Sequence, residues 1–479
     1  MSRDRRVVDW YHAGGERRRA HGRSETLVDP ATEAPWCEVA GCTADDVHDA
    51  VACAQAAAAP WAGTPVHERA AAVRALADTL HDRRHDLATD VMREIGMPAA
   101  QSLDCQVGWP VGLLHETAEL AHDFAFESAV GASCVVREPI GVVACITPWN
   151  FPIHQIVEKC APAILAGNTV VVKPSELSPV SALHLADAAA EAGIPGGVLN
   201  VVPGDGAVGR SLIDAPGVAA VAFTGSTAVG RAVAGRAAVS MQRLLLELGG
   251  KSPAVVLDDA SLPEAVVETV RRCMFHSGQV CNALTKLVVP RHLQAEAVEL
   301  ALAEVAGMPL GNPDDPATVL GPLVSARQRE RVLGILAHAL TAGATVTRSD
   351  AHTVPARGWF VPPTIVSDVA PTDLVATEEI FGPVLCVVPY DGDDAAAVAV
   401  ANHADFDLAA AVWAEDEDRA LRVARSVRAG QVSINGAPFD GAAPFGGFRH
   451  SGVGRIHGTA GLLQFTEQKA IQHRRSPQS

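Results

Sequence analysis

Lysine is scarce in this chain of 479 residues: it occurs only at 159, 173, 251, 286 and 469, and every other strong cation is arginine. A compact, rotatable ammonium does what a planar guanidinium cannot, so each lysine invites a reason. Positive charge is short altogether. A formal net charge of −17 argues against nucleic acid or an anionic membrane surface as partner, since both demand a basic patch. Long apolar runs are missing too; none approaches the roughly 18 residues of a membrane span. Met1 to Arg6 is basic with no apolar stretch behind it, so neither a signal peptide nor a membrane is expected and the protein reads as cytoplasmic. Ten cysteines are scattered without a C-x-x-C pair or a regular spacing, which disfavours both a disulfide framework and a zinc site and predicts reduced thiols. His115-Glu116 is followed only by His122, which misses the i,i+4 spacing of two zinc ligands on a helix. No metal is expected.

What is present is a soluble composition, 48% apolar and 19% charged, long enough for two or three domains. Residues 1–35 read as a lead-in with turns at Gly14-Gly15 and Asp29-Pro30. Alanine-rich helical sequence follows from Thr43 to Gly96, with a break at Pro60, and a further helix from Gln106 to Phe126 precedes a strand at Ser133–Arg137. From Gly141 onward short β-rich runs alternate with helices: 141–147, 152–165 with Ile153, Ile156, Val157 and Cys160 as its buried stripe, 169–173, 181–192, 199–202 and 221–224. That alternation predicts an α/β fold with a doubly wound parallel sheet, which binds nucleotides at the carboxyl ends of its strands. Strand and helix signals recur after residue 281 and suggest a second α/β domain. His473 to Ser479 read as a disordered tail.

Several stretches carry chemistry. Phe275-His276-Ser277-Gly278-Gln279-Val280-Cys281-Asn282-Ala283 sets a cysteine in a small, polar, glycine-loosened loop. A nucleophile needs exposure and dipoles that favour thiolate, and this loop fits, although a structural cysteine also stands on sequence alone. Phe223-Thr224-Gly225-Ser226 is a strand, then small residues, then a helix start, whose amides and dipole suit phosphate. Glu247 ends an apolar strand beside Gly249-Gly250, where a carboxylate is costly without a task or a partner.

Together these motifs resemble the aldehyde dehydrogenase superfamily from about residue 25 to 470. Pro148-Trp149-Asn150, Lys173-Pro174-Ser175-Glu176, Phe223-Thr224-Gly225-Ser226, Glu247-Leu248-Gly249-Gly250-Lys251, Gly278-Gln279-Val280-Cys281, Glu379-Ile380-Phe381-Gly382-Pro383 and Pro444-Phe445-Gly446-Gly447 stand in the family's order. The resemblance implies oxidation of an aldehyde to its acid, with Cys281 as nucleophile, Asn150 and the Cys281 N–H as oxyanion donors, Glu247 activating water against the thioester, and Lys159 on the proton path. It implies NAD as cofactor, with NADP possible, held by Ile146, Thr147, Pro148, Trp149, Lys173, Ser175, Glu176, Gly204, Phe223, Thr224, Gly225, Ser226, Leu248, Gly249, Glu379 and Phe381. It further implies a dinucleotide domain (1–117 and 139–248), a catalytic domain (249–448) and a bridging segment (118–138 and 449–479), the last pairing with a neighbouring subunit in a homodimer or homotetramer. The alternatives are a coenzyme A-acylating semialdehyde dehydrogenase, which the presence of Glu247 disfavours, and a non-catalytic homologue.

By the same resemblance Phe151, Val280 and Asn282 face the substrate. Gln155 and Glu158 share the Phe151 face of the helix at i+4 and i+7, and Phe275, Phe439 and Phe445 are expected as an aromatic counter-wall. A medium-sized aldehyde with a neutral polar or cationic tail is the expected substrate, unless Glu158 only pairs locally. One departure bears on mechanism: the family's glutamate after Gly454-Arg455 is Ile456 here, followed by His457, which has either a relay or a packing role.

Overall fold

The computed structural model describes residues 6–472; the expectations for the first residues and for the tail from His473 fall outside them. Two parallel sheets organise the chain. In the first, the strands Arg243–Glu247, Val218–Thr224, Val142–Ile146, Thr169–Lys173 and Leu199–Val201 lie side by side in that order, all parallel. Their residues alternate between two apolar layers: Val143, Cys145, Val170, Val172, Ala220 and Ala222 face one core, and Val142, Ala144, Ile146, Val171, Val221 and Phe223 the other. Both faces are covered by helices, which is why these strands read as unbroken apolar runs. The doubly wound parallel arrangement predicted from sequence is therefore observed. The second sheet runs Thr345–Arg348, Thr364–Ser367, Val384–Tyr390, Lys286–Pro290, Pro253–Val256, Ala409–Trp413 and Gln431–Ile434, parallel except for the first pair.

The lead-in is more ordered than its sequence suggests. Trp10–Ala13 and Glu16–Arg19 form a hairpin about Gly14-Gly15 that extends the first sheet, and Arg6–Val8, Pro35–Ala40 and Ser24–Val28 make a small sheet of their own. The break expected at Pro60 does not occur there. Pro60 lies inside the helix Ala44–Ala62, and the chain turns at Gly63 instead. The helix ends two residues later, so the hydrogen bond and the clash proline disrupts fall in a terminal turn.

Near its end the chain returns to both earlier regions. Gly452–Val453 pairs antiparallel with Leu246 and Glu247 at the edge of the first sheet. Thr466–Gln472 pairs with Ser133–Pro139, which also pairs with Glu127–Val130. The expectation that this C-terminal strand pairs with a neighbouring subunit is corrected: the two strands are antiparallel partners within one chain. Among the described residues no helix is long and apolar enough to cross a membrane.

Candidate active site

The register of the first sheet delivers the cofactor motifs to one edge. Ile146 lies opposite Lys173, Phe223 opposite Ile146, and Thr224 opposite Glu247. The segments Ile146–Trp149, Lys173–Glu176, Thr224–Ser226 and Glu247–Gly249 therefore leave the strands side by side at their carboxyl ends. The Thr147 and Thr224 hydroxyls are buried there without a partner. Ser226 caps the helix Thr227–Ala237, accepting from the Val229 N–H at 3.4 Å. The buried Lys173 ammonium stands 3.5 Å from Glu176, whose carboxylate is half-exposed; burial draws the Lys173 pKa down while Glu176 pulls it back. Gly204, at φ +150°, closes the end of the neighbouring strand with Val208 packed against its Cα. From the second sheet, Phe381 meets Trp149 edge to face at 5.4 Å, and the Glu379 carboxylate accepts from the Gly250 N–H at 3.1 Å. Burial raises Glu379 to about 7. Unpaired hydroxyls, a capped helix start, a lysine–glutamate pair and two flat rings on one cleft fit the parts of a dinucleotide.

The nucleophile loop is held by backbone geometry. His276, Ser277 and Gly278 all take left-handed φ, at +51°, +54° and +73°. A Cβ on Gly278 would stand 2.0 Å from the Gly382 carbonyl oxygen, so the loop and the Glu379–Pro383 turn touch backbone to backbone. Ser277 donates to the Gly321 carbonyl at 2.7 Å, and the Val324 N–H donates to Gln279 Oε1 at 2.9 Å. Asn150 Nδ2 donates to the Gln279 carbonyl at 2.9 Å while Gln106 donates to the Asn150 carbonyl at 3.3 Å. One N–H of the Asn150 amide is thus fixed, which orients the other. Val280 and Asn282 flank Cys281, and all three are partly buried.

The thiol is not in the thiolate-favouring setting expected from sequence. Burial, then the charges of Glu158, Glu379 and Glu247, push Cys281 up to about 12. The loop is polar in composition but ringed by carboxylates from distant segments, and only the fold shows that. Glu247 is buried with both oxygens unpaired. Burial and then Glu158 raise its pKa well above the usual carboxylate range, against the pull of Lys159 and Arg455. Its close neighbour is Gly446, where an added Cβ would lie 2.6 Å from Glu247 Oε1.

The helix Pro152–Ala166 is buried on all sides except at His154, so the expected stripe is only part of its buried surface. Phe151, Phe275 and the unforeseen Trp109 stack within 6.4 Å of one another. Phe439 and Phe445 group with His457, at 5.5–6.1 Å, and His154 links His457 to Phe151 and Trp109. This corrects the expected counter-wall: Phe275 belongs with Phe151, and only Phe439 and Phe445 stand apart. Gln155 and Glu158 are not free wall residues. Lys159, fully buried, donates to Glu158 Oε1 at 2.7 Å and Gln155 Oε1 at 2.9 Å. Glu158 Oε2 faces His154 Nε2 at 3.4 Å and His457 Nε2 at 3.8 Å. A cationic tail therefore finds the Glu158 carboxylate already paired. Histidine 154 was legible as the i,i+4 partner of Glu158, whereas Trp109 and Gln106 precede the helix by some forty residues with no local signal. The donor atoms of His154, Glu158 and His457 lie within 4.8 Å of one another. Lys159 already holds the carboxylate, and the Nδ1 atoms of both histidines lack the partners that orient metal-bound imidazoles, so we assign no metal.

A partly buried thiol and an unpaired buried carboxylate thus stand beside the segments that fit a dinucleotide. Residues 18–471 match the Aldehyde dehydrogenase family, and the chain belongs to it. It is 39% identical over 457 residues to geranial dehydrogenase of Castellaniella defragrans, covering 93% of this chain and 94% of that one. A similar match, also 39% identical, is 3-succinoylsemialdehyde-pyridine dehydrogenase of a Pseudomonas species, covering 94% and 95%. Among solved structures, aldehyde dehydrogenase C from Pseudomonas syringae, in complex with NAD+ and octanal, superposes with a TM-score of 0.95 at 38% identity over 97% of this chain and 96% of that one. An aldehyde dehydrogenase from Mycobacterium tuberculosis complexed with NAD+ gives 0.95 at 36% identity over 98% and 99%.

The contact between Gly278 and Gly382 is open to test. Gly278→Ala combines a left-handed φ with a backbone clash, and we expect it to remove at least nine-tenths of activity and destabilise the fold by about 1–3 kcal/mol. Melting temperature and turnover measured on the same sample check both.

Proposed function

We propose that this chain oxidises an aldehyde to its carboxylic acid with NAD, through a covalent intermediate on Cys281 hydrolysed with Glu247 as base. What supports this reading most is Glu247: a buried carboxylate with both oxygens unpaired, facing the same cleft as the thiol. The Cys281 sulfur, its thiol proton released to water, adds to the carbonyl carbon; the developing oxyanion takes the free N–H of Asn150 and the Cys281 N–H, and loss of the aldehyde hydrogen from that carbon as hydride leaves a thioester. When bound, NAD supplies the hydride acceptor. Lys173, Ser175 and Glu176 hold its adenosine end, Gly225, Ser226 and the helix start its phosphates, and Trp149, Glu379 and Phe381 its other end. Glu247 then takes a proton from water as the water oxygen attacks the thioester carbon; the sulfur leaves and the acid forms. Because its pKa is raised, Glu247 gains its basic form as pH rises, so hydrolysis speeds up through that raised value.

Cys281→Ser should abolish oxidation while leaving NAD binding intact. Glu247→Gln should give a burst of NADH followed by a stall, with a thioester recoverable by mass spectrometry after acid quench. Wild-type turnover in Cys281→Ser would refute the assignment, and a thioester formed on added coenzyme A would favour the acylating alternative.

NAD is the preferred cofactor because Glu176 can accept ribose hydroxyls and repels a 2′-phosphate. Comparing kcat/KM for the two cofactors should favour NAD at least tenfold, and Glu176→Gln should shrink that ratio. A preference for NADP in the wild type would overturn it.

The substrate, on this reading, is a medium-sized uncharged aldehyde. Two aromatic groups line its path, while the ionised Glu158 disfavours a carboxylate. A relative named for geranial, and a neighbour solved with octanal, agree with that size. Across chain-matched alkyl, aryl, amino and carboxyl aldehydes, kcat/KM should be highest for the uncharged ones and lowest for the carboxylate. The exposed Val130 and Ile471 on the three-stranded sheet suit a homodimer or homotetramer.

A further inference from the structure

One buried charge in this site, placed on the proton path by the resemblance, takes part in none of the steps just described. Lys159 is 0% exposed, and a buried ammonium needs a counter-ion to stay charged. The position at which the sequence resembles a family with a glutamate, 456, is isoleucine; it is buried and its backbone bridges to Phe445. The counter-ion comes from the adjacent residue on the helix instead, where Glu158 accepts from Lys159 at 2.7 Å.

We propose that Glu158 is a positioning residue for hydrolysis: it anchors Lys159 beside Glu247 and supplies, from the helix Pro152–Ala166, the carboxylate that position 456 lacks. This rests on the assignment of Glu247 as the hydrolytic base. Each hydrolysis leaves one proton on Glu247, which must reach water before the next turnover. The Lys159 ammonium, held by Glu158 and by both oxygens of Gln155, is the fixed donor group beside that route. The far oxygen of Glu158 opens toward His154, which keeps 17% of its side chain exposed, so the cluster runs from the reaction centre to the solvent side of the helix.

The charges around the cluster give the position a signature that packing alone lacks. Glu158 is faced by Lys159 and His154 from its own helix, by His457 from the loop ahead of helix Gly458–Leu463, and by Glu247 and Cys281 across the cleft. Arg455 also acts on Glu247, Glu379 on Cys281, and Glu116 on His457. Burial works against its charge, yet Lys159 and the two histidines hold Glu158 below the usual carboxylate range. Ionised, it raises both Cys281 and Glu247. Removing that charge therefore lowers both of their pKa values. At neutral pH more thiolate is present and the first half-reaction quickens; Glu247 also gains basic form, but hydrolysis loses its anchored lysine, and the expected net effect is a slower second half-reaction.

Rapid-mixing measurement of NADH on Glu158→Gln, Ile456→Glu and the double variant Glu158→Gln/Ile456→Glu, each from pH 5.5 to 9.5, tests this. For Glu158→Gln we expect a burst rate at pH 7 equal to or above wild type, its acid limb moved to lower pH, and kcat reduced at least tenfold. The double variant should recover kcat to within about threefold of wild type, since the carboxylate has only changed its point of attachment. An unchanged kcat in Glu158→Gln overturns the proposal. So does a parallel fall of burst and kcat, the mark of lost packing, or a double variant no faster than Glu158→Gln. If Glu158→Gln fails to fold, Glu158→Asp replaces it: it keeps the charge but shortens the reach to Lys159, so the burst should stay at its wild-type rate while kcat falls, and an equal fall of both overturns the idea. Failure of the underlying assignment shows elsewhere, as a Glu247→Gln enzyme that turns over without stalling.

Discussion

Parallel register in the first sheet is the constraint from which the site follows. Because Ile146, Lys173, Thr224 and Glu247 are neighbours across adjacent strands, four segments far apart in sequence share one edge, and a shift of one residue in any strand would turn its last side chain to the opposite face. The alternation of apolar residues between two cores fixes that register. The cleft is thus held largely by apolar packing on both faces of the sheet.

The second sheet completes the cleft through backbone approach. Gly278 against Gly382, and Gly446 against Glu247, are places where a methyl group has no room. Such contacts position groups without polar partners, which is why Glu247 can stay unpaired while buried. Burial also gathers charge effects: Glu158, Glu379 and Glu247 act on one thiol from three different elements, and away from bulk solvent such charges are less screened.

Much of this was legible in the sequence, and what was not has physical reasons. The strands at 142–146, 169–173 and 218–224 announce themselves because a strand buried on both faces has no polar alternation to blur it. The motifs at Lys173, Ser226 and Glu247 are local, and the fold places them as their order implied. The hairpin about Gly14-Gly15 and the small sheet around Pro35–Ala40 were missed because their strands are short and partly exposed, with stability that comes from partners elsewhere. Proline 60 misled because proline is judged by its position in a helix, and only the end of the helix reveals that. Above all, the state of Cys281 could not be read from its loop, since the burial that raises it, and the carboxylates of residues 158, 379 and 247 that add to it, come from the fold. Pairwise charge effects depend on distance, and sequence separation says nothing about distance.

The late return of the chain has a consequence for how it is made. Strand Arg243–Glu247 is paired on one side by Val218–Thr224, but its other side waits for Gly452–Val453, about 200 residues later, or roughly 10–40 s of synthesis at ordinary rates. Likewise Ser133–Pro139 waits for Thr466–Gln472. During that interval the nascent chain carries unsatisfied β-edges beside an apolar core, the kind of surface that recruits chaperones or a second nascent chain. The last strands therefore act as a seal, and the length of unsealed time is written into the order of the elements.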